Sequence, residues 1–132
     1  MVKIVFTLGY QTNKNNKAMP YITSERVAEI RKEVKATFPK FKFSVTKEHH
    51  SSVHINIMAG PMDFGTKHEG VNHFYISEHY ADRHEIRDIL LKIYSIANKG
   101  NGTLVEDGDY GMVPNFYVNI AIGQWNKPYV KR

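Results

Sequence analysis

The chain holds 132 residues, 42% hydrophobic and 23% charged, which is enough apolar content for one packed core and too much for a disordered segment. Its 18 Lys/Arg against 13 Asp/Glu give a net charge of +5, and its zero cysteines exclude disulfides, thiolate metal sites and a cysteine nucleophile. No apolar run approaches the roughly 20 residues that span a bilayer, and MVKIVFTLGY alternates as a strand does instead of opening a signal peptide, so a cytoplasmic protein with no membrane partner is expected.

Residues 2 to 8, VKIVFTL, place Val2, Ile4, Phe6 and Leu8 on one side and Lys3, Val5 and Thr7 on the other, the period of a strand with one buried side. GYQTNKNNKAMP has no apolar period and reads as an exposed loop. From Thr23 the spacing changes to that of a helix. Val27, Ile30, Val34 and Phe38 recur along one stripe, Thr23 or Ser24 caps the first amides, and Pro39 ends the run by disfavouring helical geometry at Phe38. KFKFSVTK alternates again, with Phe41, Phe43 and Val45 inward and Lys40, Lys42, Ser44 and Thr46 outward. After the polar link EHHSS, VHINIM turns Val53, Ile55 and Ile57 inward and His54 and Asn56 outward, which completes a predicted hairpin.

Gly60 and Pro61 end that strand. In the irregular stretch that follows, VNHFYI is a candidate for a short extra edge strand. Asp82 and Glu85 have the spacing of a capping box ahead of Ile86, Ile89, Leu90, Ile93, Tyr94 and Ala97, which fill one helical stripe, and Asn98 and Gly100 suit the exit. The glycine-rich, acidic GNGTLVEDGDYG reads as a long loop. Pro114 then introduces the last strand, where Phe116, Val118, Ile120 and Ile122 face one way and Tyr117, Asn119 and Ala121 the other. The order predicts a single α+β domain over residues 1 to 132. Its expected form is a two-layer sandwich of the split βαβ, or ferredoxin-like, kind, with an antiparallel sheet, both helices on one face and an additional short strand.

Charge is unevenly placed: residues 1 to 50 hold ten Lys/Arg against four Asp/Glu, and residues 51 to 132 hold eight against nine. A basic N-terminal half points to nucleic acid or an acidic protein as partner. The seven histidines raise a metal site. HEGVNH at 68 to 73, however, misses the helical H-E-x-x-H zinc motif by one residue, and an i,i+5 pair on a helix lies roughly 140° apart. His49, His50 and His54 gather at a hairpin end, and Glu106, Asp107 and Asp109 lack the ligand ladder of a calcium loop. No phosphate-cradling glycine loop or nucleophile elbow is present. No catalytic residue, metal ligand or cofactor is assigned on these grounds.

FPKFKFSV, VHINIMAGP and PNFYVNIAIGQWNKPY together resemble the large polyvalent protein-associated domain families, found in multidomain proteins of phages and conjugative elements. The likeness runs from about Ile22 to Tyr129 and lies in an amphipathic helix entering an FP…KFSV strand, a strand closing on Gly-Pro and a terminal aromatic strand. Met58 and Ala59 stand where that family carries Trp and Asp, so no role of those two side chains carries over. The resemblance implies a setting, a mobile genetic element meeting host machinery from the host cytoplasm, here as a free-standing domain. The expected function is a small non-enzymatic binding protein that engages nucleic acid or a host protein, a defence component included, through an open basic sheet face. Lys3, Lys40, Lys42, His54, Asn56, Tyr117 and Asn119 are the candidate contacts, with the basic segment Arg31 to Lys47 beside them. The alternatives are a metal-dependent hydrolase built on the histidine-rich loops and a self-associating structural protein, since Tyr110, Trp125 and Tyr129 also suit a homodimer interface.

Overall fold

A computed structural model of the chain describes residues 20–101, 103–107 and 111–132. The strand expected over residues 2 to 8, with Lys3, and the loop that follows to residue 19 lie outside the described residues, as does Tyr110.

Helix α1, Ser24–Thr37, begins where Thr23 Oγ1 accepts a bond from the Arg26 amide at 3.0 Å, and ends where Pro39 holds Phe38 out of helical geometry. Strands β1, Lys42–Glu48, and β2, Ser52–Gly60, form the expected antiparallel hairpin, with a bulge between Lys42 and Phe43. The link between them is a tight turn. His49 and His50 both take positive φ, 54° and 62°, and the Ser51 amide donates to the Glu48 carbonyl at 3.3 Å, a type I′ arrangement usually carried by Asn-Gly.

The stretch before the second long helix differs from its expected form. A short strand β3, Glu69–Val71, stops at Val71, because the Asn72 side chain accepts from the Phe74 amide at 3.0 Å and turns His73–Tyr75 into a 3₁₀ segment. A four-residue helix α2, Ile76–His79, follows. Helix α3, His84–Ala97, carries the predicted stripe, but the capping box of Asp82 and Glu85 does not form. Its entry is anchored instead by Arg83, whose guanidinium sits 5.0 Å from the centre of the Tyr80 ring and donates to the Phe64 carbonyl at 3.1 Å. Asn98 ends the helix, and Gly100 takes φ 75° just beyond it. The acidic segment expected as a loop contains a hairpin of β4, Thr103–Asp107, and β5, Gly111–Pro114. Strand β6, Tyr117–Ile122, and a two-residue β7, Val130–Lys131, complete the described chain.

The main sheet runs β1-β2-β6-β3, with β7 against the end of β2. This corrects the expected topology. Strand β6 lies directly beside β2 and parallel to it, Val53 opposite Val118 and Ile57 opposite Ile122, so the sheet is mixed. The α+β class holds, but the described strands do not trace the ferredoxin-like order. The physical reason is that alternation fixes which face a side chain takes and says nothing about strand direction.

Both long helices cover one side of this sheet. Val27, Ile30 and Val34 of α1 and Ile86, Leu90, Ile93, Ile96 and Ala97 of α3 share a single buried cluster with Val45, Val53, Ile55, Ile57, Val118, Ile120 and Ile122. Arg26 fastens the helices together, since its guanidinium donates to the Ile96 and Lys99 carbonyls at 3.2 and 2.9 Å, at the last turn of α3 and just beyond it. No helix among the described residues is long and apolar enough to cross a membrane.

Tyr80 closes the edge of this core. It is 2% exposed and its hydroxyl donates to Glu69 Oε2 at 2.8 Å. Burial first, then the hydrogen bond and charge of Glu69, push the phenol up from 10.0 to about 12. Between those two values the unfolded chain has lost this proton and the native chain keeps it, so stability falls as pH rises through the window. Denaturant midpoints measured across that range are expected to decline in the wild type and to decline less in Tyr80→Phe, with the residual slope due to Tyr94 and Tyr129, whose phenols burial also raises.

Candidate binding face and basic cleft

With the helices on one side, the reverse of the sheet presents three cross-strand rows. Glu48, Ser52 and Tyr117 form the first, Thr46, His54 and Asn119 the second, and Ser44, Asn56 and Ala121 the third. Strand alternation puts all nine on the same side. Thr46 and Asn119 are exposed and Tyr117 is 46% exposed, whereas Ser44, His54 and Asn56 are half-buried. His54 Nε2 stands 3.4 Å from Glu48 Oε1 and 3.4 Å from Asn119 Nδ2, while His49 Nε2 is 3.8 Å from the same carboxylate oxygen. A hydrogen-bonding surface results, able to donate and accept at several adjacent points.

The predicted contacts divide between this face and its margin. His54, Asn119 and Tyr117 come together as expected. Asn56 lies on the face, but its amide is committed to the fold, donating to the Gly123 carbonyl at 2.9 Å. Lys42 is exposed at the first residue of β1, and Lys40 is exposed in the turn before it, off the sheet. Lys47, from the basic segment, leaves the face altogether: its Nζ lies 3.1 Å from Ser24 Oγ and 5.9 Å from the centre of the Tyr21 ring. At the far end of β2, Met58 falls at the bulge, between the residues opposite Lys42 and Phe43, and is only 6% exposed, so the polar rows stop short of it.

Positive charge is concentrated beside the face instead of on it. A cleft of about 370 Å³ at the Lys42 end of β1 is lined by Arg31, Lys35, Phe41, Lys42, Phe43 and Arg132. Arg31 is positioned by a bond of 2.7 Å to the Val45 carbonyl, an acceptor on the outer edge of the sheet. Phe41 seats on Gly60, where a Cβ would approach its ring to 2.5 Å, and stacks on Phe43 with centroids 6.2 Å apart. Sequence reasoning assigned both phenylalanines wholly to the interior and did not connect Arg132 with this place. The signal for Arg31 and Lys35 was present as two cations one helical turn apart.

Among the described residues no three His, Asp or Glu side chains converge to hold a metal ion. His68 and His73 do not share a helix, because β3 runs between them, and His73 stacks on Tyr94 at 4.6 Å and 11°, where burial holds its pKa below 6.5. The two described aromatics that flank the last strand part ways. Tyr129 is buried, edge-on to Phe64 at 4.9 Å, with its hydroxyl donating to the Met62 carbonyl, while Trp125 is 82% exposed.

The family model of large polyvalent protein associated domain 29 matches residues 21–111, the stretch that runs from α1 through the β1–β2 hairpin and α3. The chain belongs to this family. Membership ties it to the polyvalent proteins of phages and mobile elements. The stretch shared with the large polyvalent protein associated domain 29 family contains α1, the β1–β2 hairpin, β3 and α3, and it supplies five of the six cleft residues; β6, with Tyr117 and Asn119, follows it. No curated protein and no solved structure matches the chain.

Proposed function

We propose that this member of the family is a binding module without bond-making chemistry of its own, and that its reverse sheet face takes single-stranded nucleic acid. The observation that carries the reading is the row of Thr46, His54 and Asn119 beside exposed Tyr117, on the side that the described helices do not cover. Tyr117 offers a ring on which a base stacks, His54 and Asn119 offer donors and acceptors to base edges or sugar, and Lys42 with Lys40 meets phosphate at the margin. Stacking tolerates every base, so affinity without strong sequence preference follows.

The test is fluorescence anisotropy with labelled DNA and RNA strands of about 12 nucleotides, a length in the range of known sheet platforms. Wild-type protein is expected to bind both. Tyr117→Ala should weaken binding about ten-fold, one lost stacking contact, with an unchanged denaturation midpoint. Failure of every strand to bind, or full affinity in the variant, overturns the reading. One observation favours a second partner class: Trp125, 82% exposed in the turn between β6 and β7, is an anchor of the kind found at protein interfaces. A host protein captured by the wild type and lost with Trp125→Ala, while strand binding is absent, would select that reading.

A further inference from the structure

We infer that the cleft at the start of β1 is a nucleotide site, in which an aromatic base lies against the Phe41 and Phe43 pair and its phosphate is held by Arg31, Lys35, Lys42 and Arg132. The inference goes beyond the proposed strand-binding face, because it shares only Lys42 with it and needs no strand. Charge is the first argument. Four cationic side chains line one cleft of about 370 Å³, and among the described residues no acidic side chain joins them. The ion pairs formed among the described residues use Arg26, Arg87, Lys99 and two histidines, and none of the four cleft cations. Arg31 and Lys35 stand four residues apart on α1, a like-charge spacing at which the two side chains repel each other. An anion between them converts that repulsion into attraction.

Shape and ring chemistry are the second argument. The volume falls in the range of small-molecule sites, and the lining alternates cations with half-buried rings. The rings are held before any ligand arrives. Phe41 stacks on Phe43 with planes 28° apart, touches Phe38 edge-on at 5.9 Å and rests on Gly60, which has room for a hydrogen and not for a methyl group. Arg31 is likewise held by the Val45 carbonyl, leaving the rest of its planar fork of donors for phosphate oxygens. Rings alone would suit any flat apolar group and lysines alone any anion. A nucleoside monophosphate unit satisfies both halves, whether it is a free nucleotide or one residue of a longer strand.

Calorimetric titration with adenosine 5′-monophosphate, adenosine and inorganic phosphate tests the inference on the full chain. The nucleotide is expected to bind at least ten-fold tighter than either half. The double variant Lys35→Ala/Lys42→Ala should lose the nucleotide by at least ten-fold while its circular dichroism and midpoint stay unchanged. Gly60→Ala, which pushes the Phe41 ring aside, should weaken adenosine-containing ligands and leave phosphate alone. Oligonucleotides with and without a 5′-phosphate separate the sources: preference for the phosphorylated strand assigns a strand end, and equal affinity with tight mononucleotide binding assigns the free nucleotide. Nucleotide binding no tighter than phosphate, or indifferent to the lysine pair, overturns the inference. Strand binding that depends on Tyr117 but not on Lys35, with no mononucleotide bound, removes the cleft alone; mononucleotide binding without strand binding removes the face alone.

Discussion

Gly123→Ala is expected to destabilise the protein by about 3 kcal/mol or more, the range reached when a strained backbone and a forced backbone shift coincide. Gly123 takes φ 67°, where an L side chain is strained, and a Cβ built there falls on the Lys67 carbonyl oxygen and 2.7 Å from the Tyr129 amide. Those two atoms are themselves bonded, the Tyr129 amide to the Lys67 carbonyl at 2.8 Å, while the Gly123 amide donates to Ile57 at 2.8 Å and its carbonyl receives the Asn56 side chain. Three chain segments therefore meet at one α-carbon: the end of β6, the stretch before β3 and the return toward β7. No side-chain rotation relieves the contact, since every partner is backbone. Gly70→Ala is the matched control, with negative φ and no atom within 4 Å of the added carbon, and it should leave the midpoint unchanged or slightly raised. Urea denaturation of the two variants beside the wild type reads both; an unshifted Gly123→Ala would mean that the three segments do not cross there.

Local periodicity carried most of what was legible beforehand. The stripe of Val27, Ile30 and Val34, the alternation of Val53, Ile55 and Ile57, and that of Val118, Ile120 and Ile122 all point inward as read, because burial of one face is enforced by the same spacing that shows it in the sequence. The outward-facing partners His54, Asn119 and Tyr117 were legible for the same reason. What the spacing lacks is long-range pairing. Whether β6 lies beside β2 or one strand away depends on which edges meet, and alternating strands of equal length offer the same inward set either way. Short elements were obscured by side-chain bonds: Asn72 turning the chain after Val71, and Arg83 displacing the expected capping box, each act through one contact with a distant or adjacent partner. The β4–β5 hairpin hid behind a composition rich in glycine and acid. The cleft was half visible, its cations readable as a basic segment, but the arrival of Arg132 beside them follows from its amide bonding to the Gly60 carbonyl at 2.8 Å, a contact between residues 72 positions apart (132 − 60).

Gly60 joins the two halves of the functional argument. It lies at the end of β2, beneath the Phe41 ring of the cleft, while the same strand carries His54 and Asn56 onto the reverse face. A strand laid across the face along β2 would run toward that end of the sheet and, turning round its β1 edge, bring its phosphates to the four cations, where they would displace counterions. For a single strand the logarithmic salt slope is about −0.7 per phosphate neutralised. A strand that gives each of the four cleft cations its own phosphate has a slope of about −2.8, so affinity should fall roughly 50-fold between about 50 mM and about 200 mM salt, whereas a single nucleotide held there gives about −0.7 and a fall of roughly 2.6-fold. Lys35→Ala/Lys42→Ala removes two of the four and should bring the slope to about −1.4, a loss of roughly seven-fold over the same interval, whereas Tyr117→Ala lowers affinity at every salt concentration and leaves the slope unchanged. The separation is diagnostic because stacking releases no ions. Anisotropy titrations at several salt concentrations measure all three lines; a flat line for the wild type would remove phosphate contact from the mechanism and shift the argument to the exposed Trp125 and a protein partner.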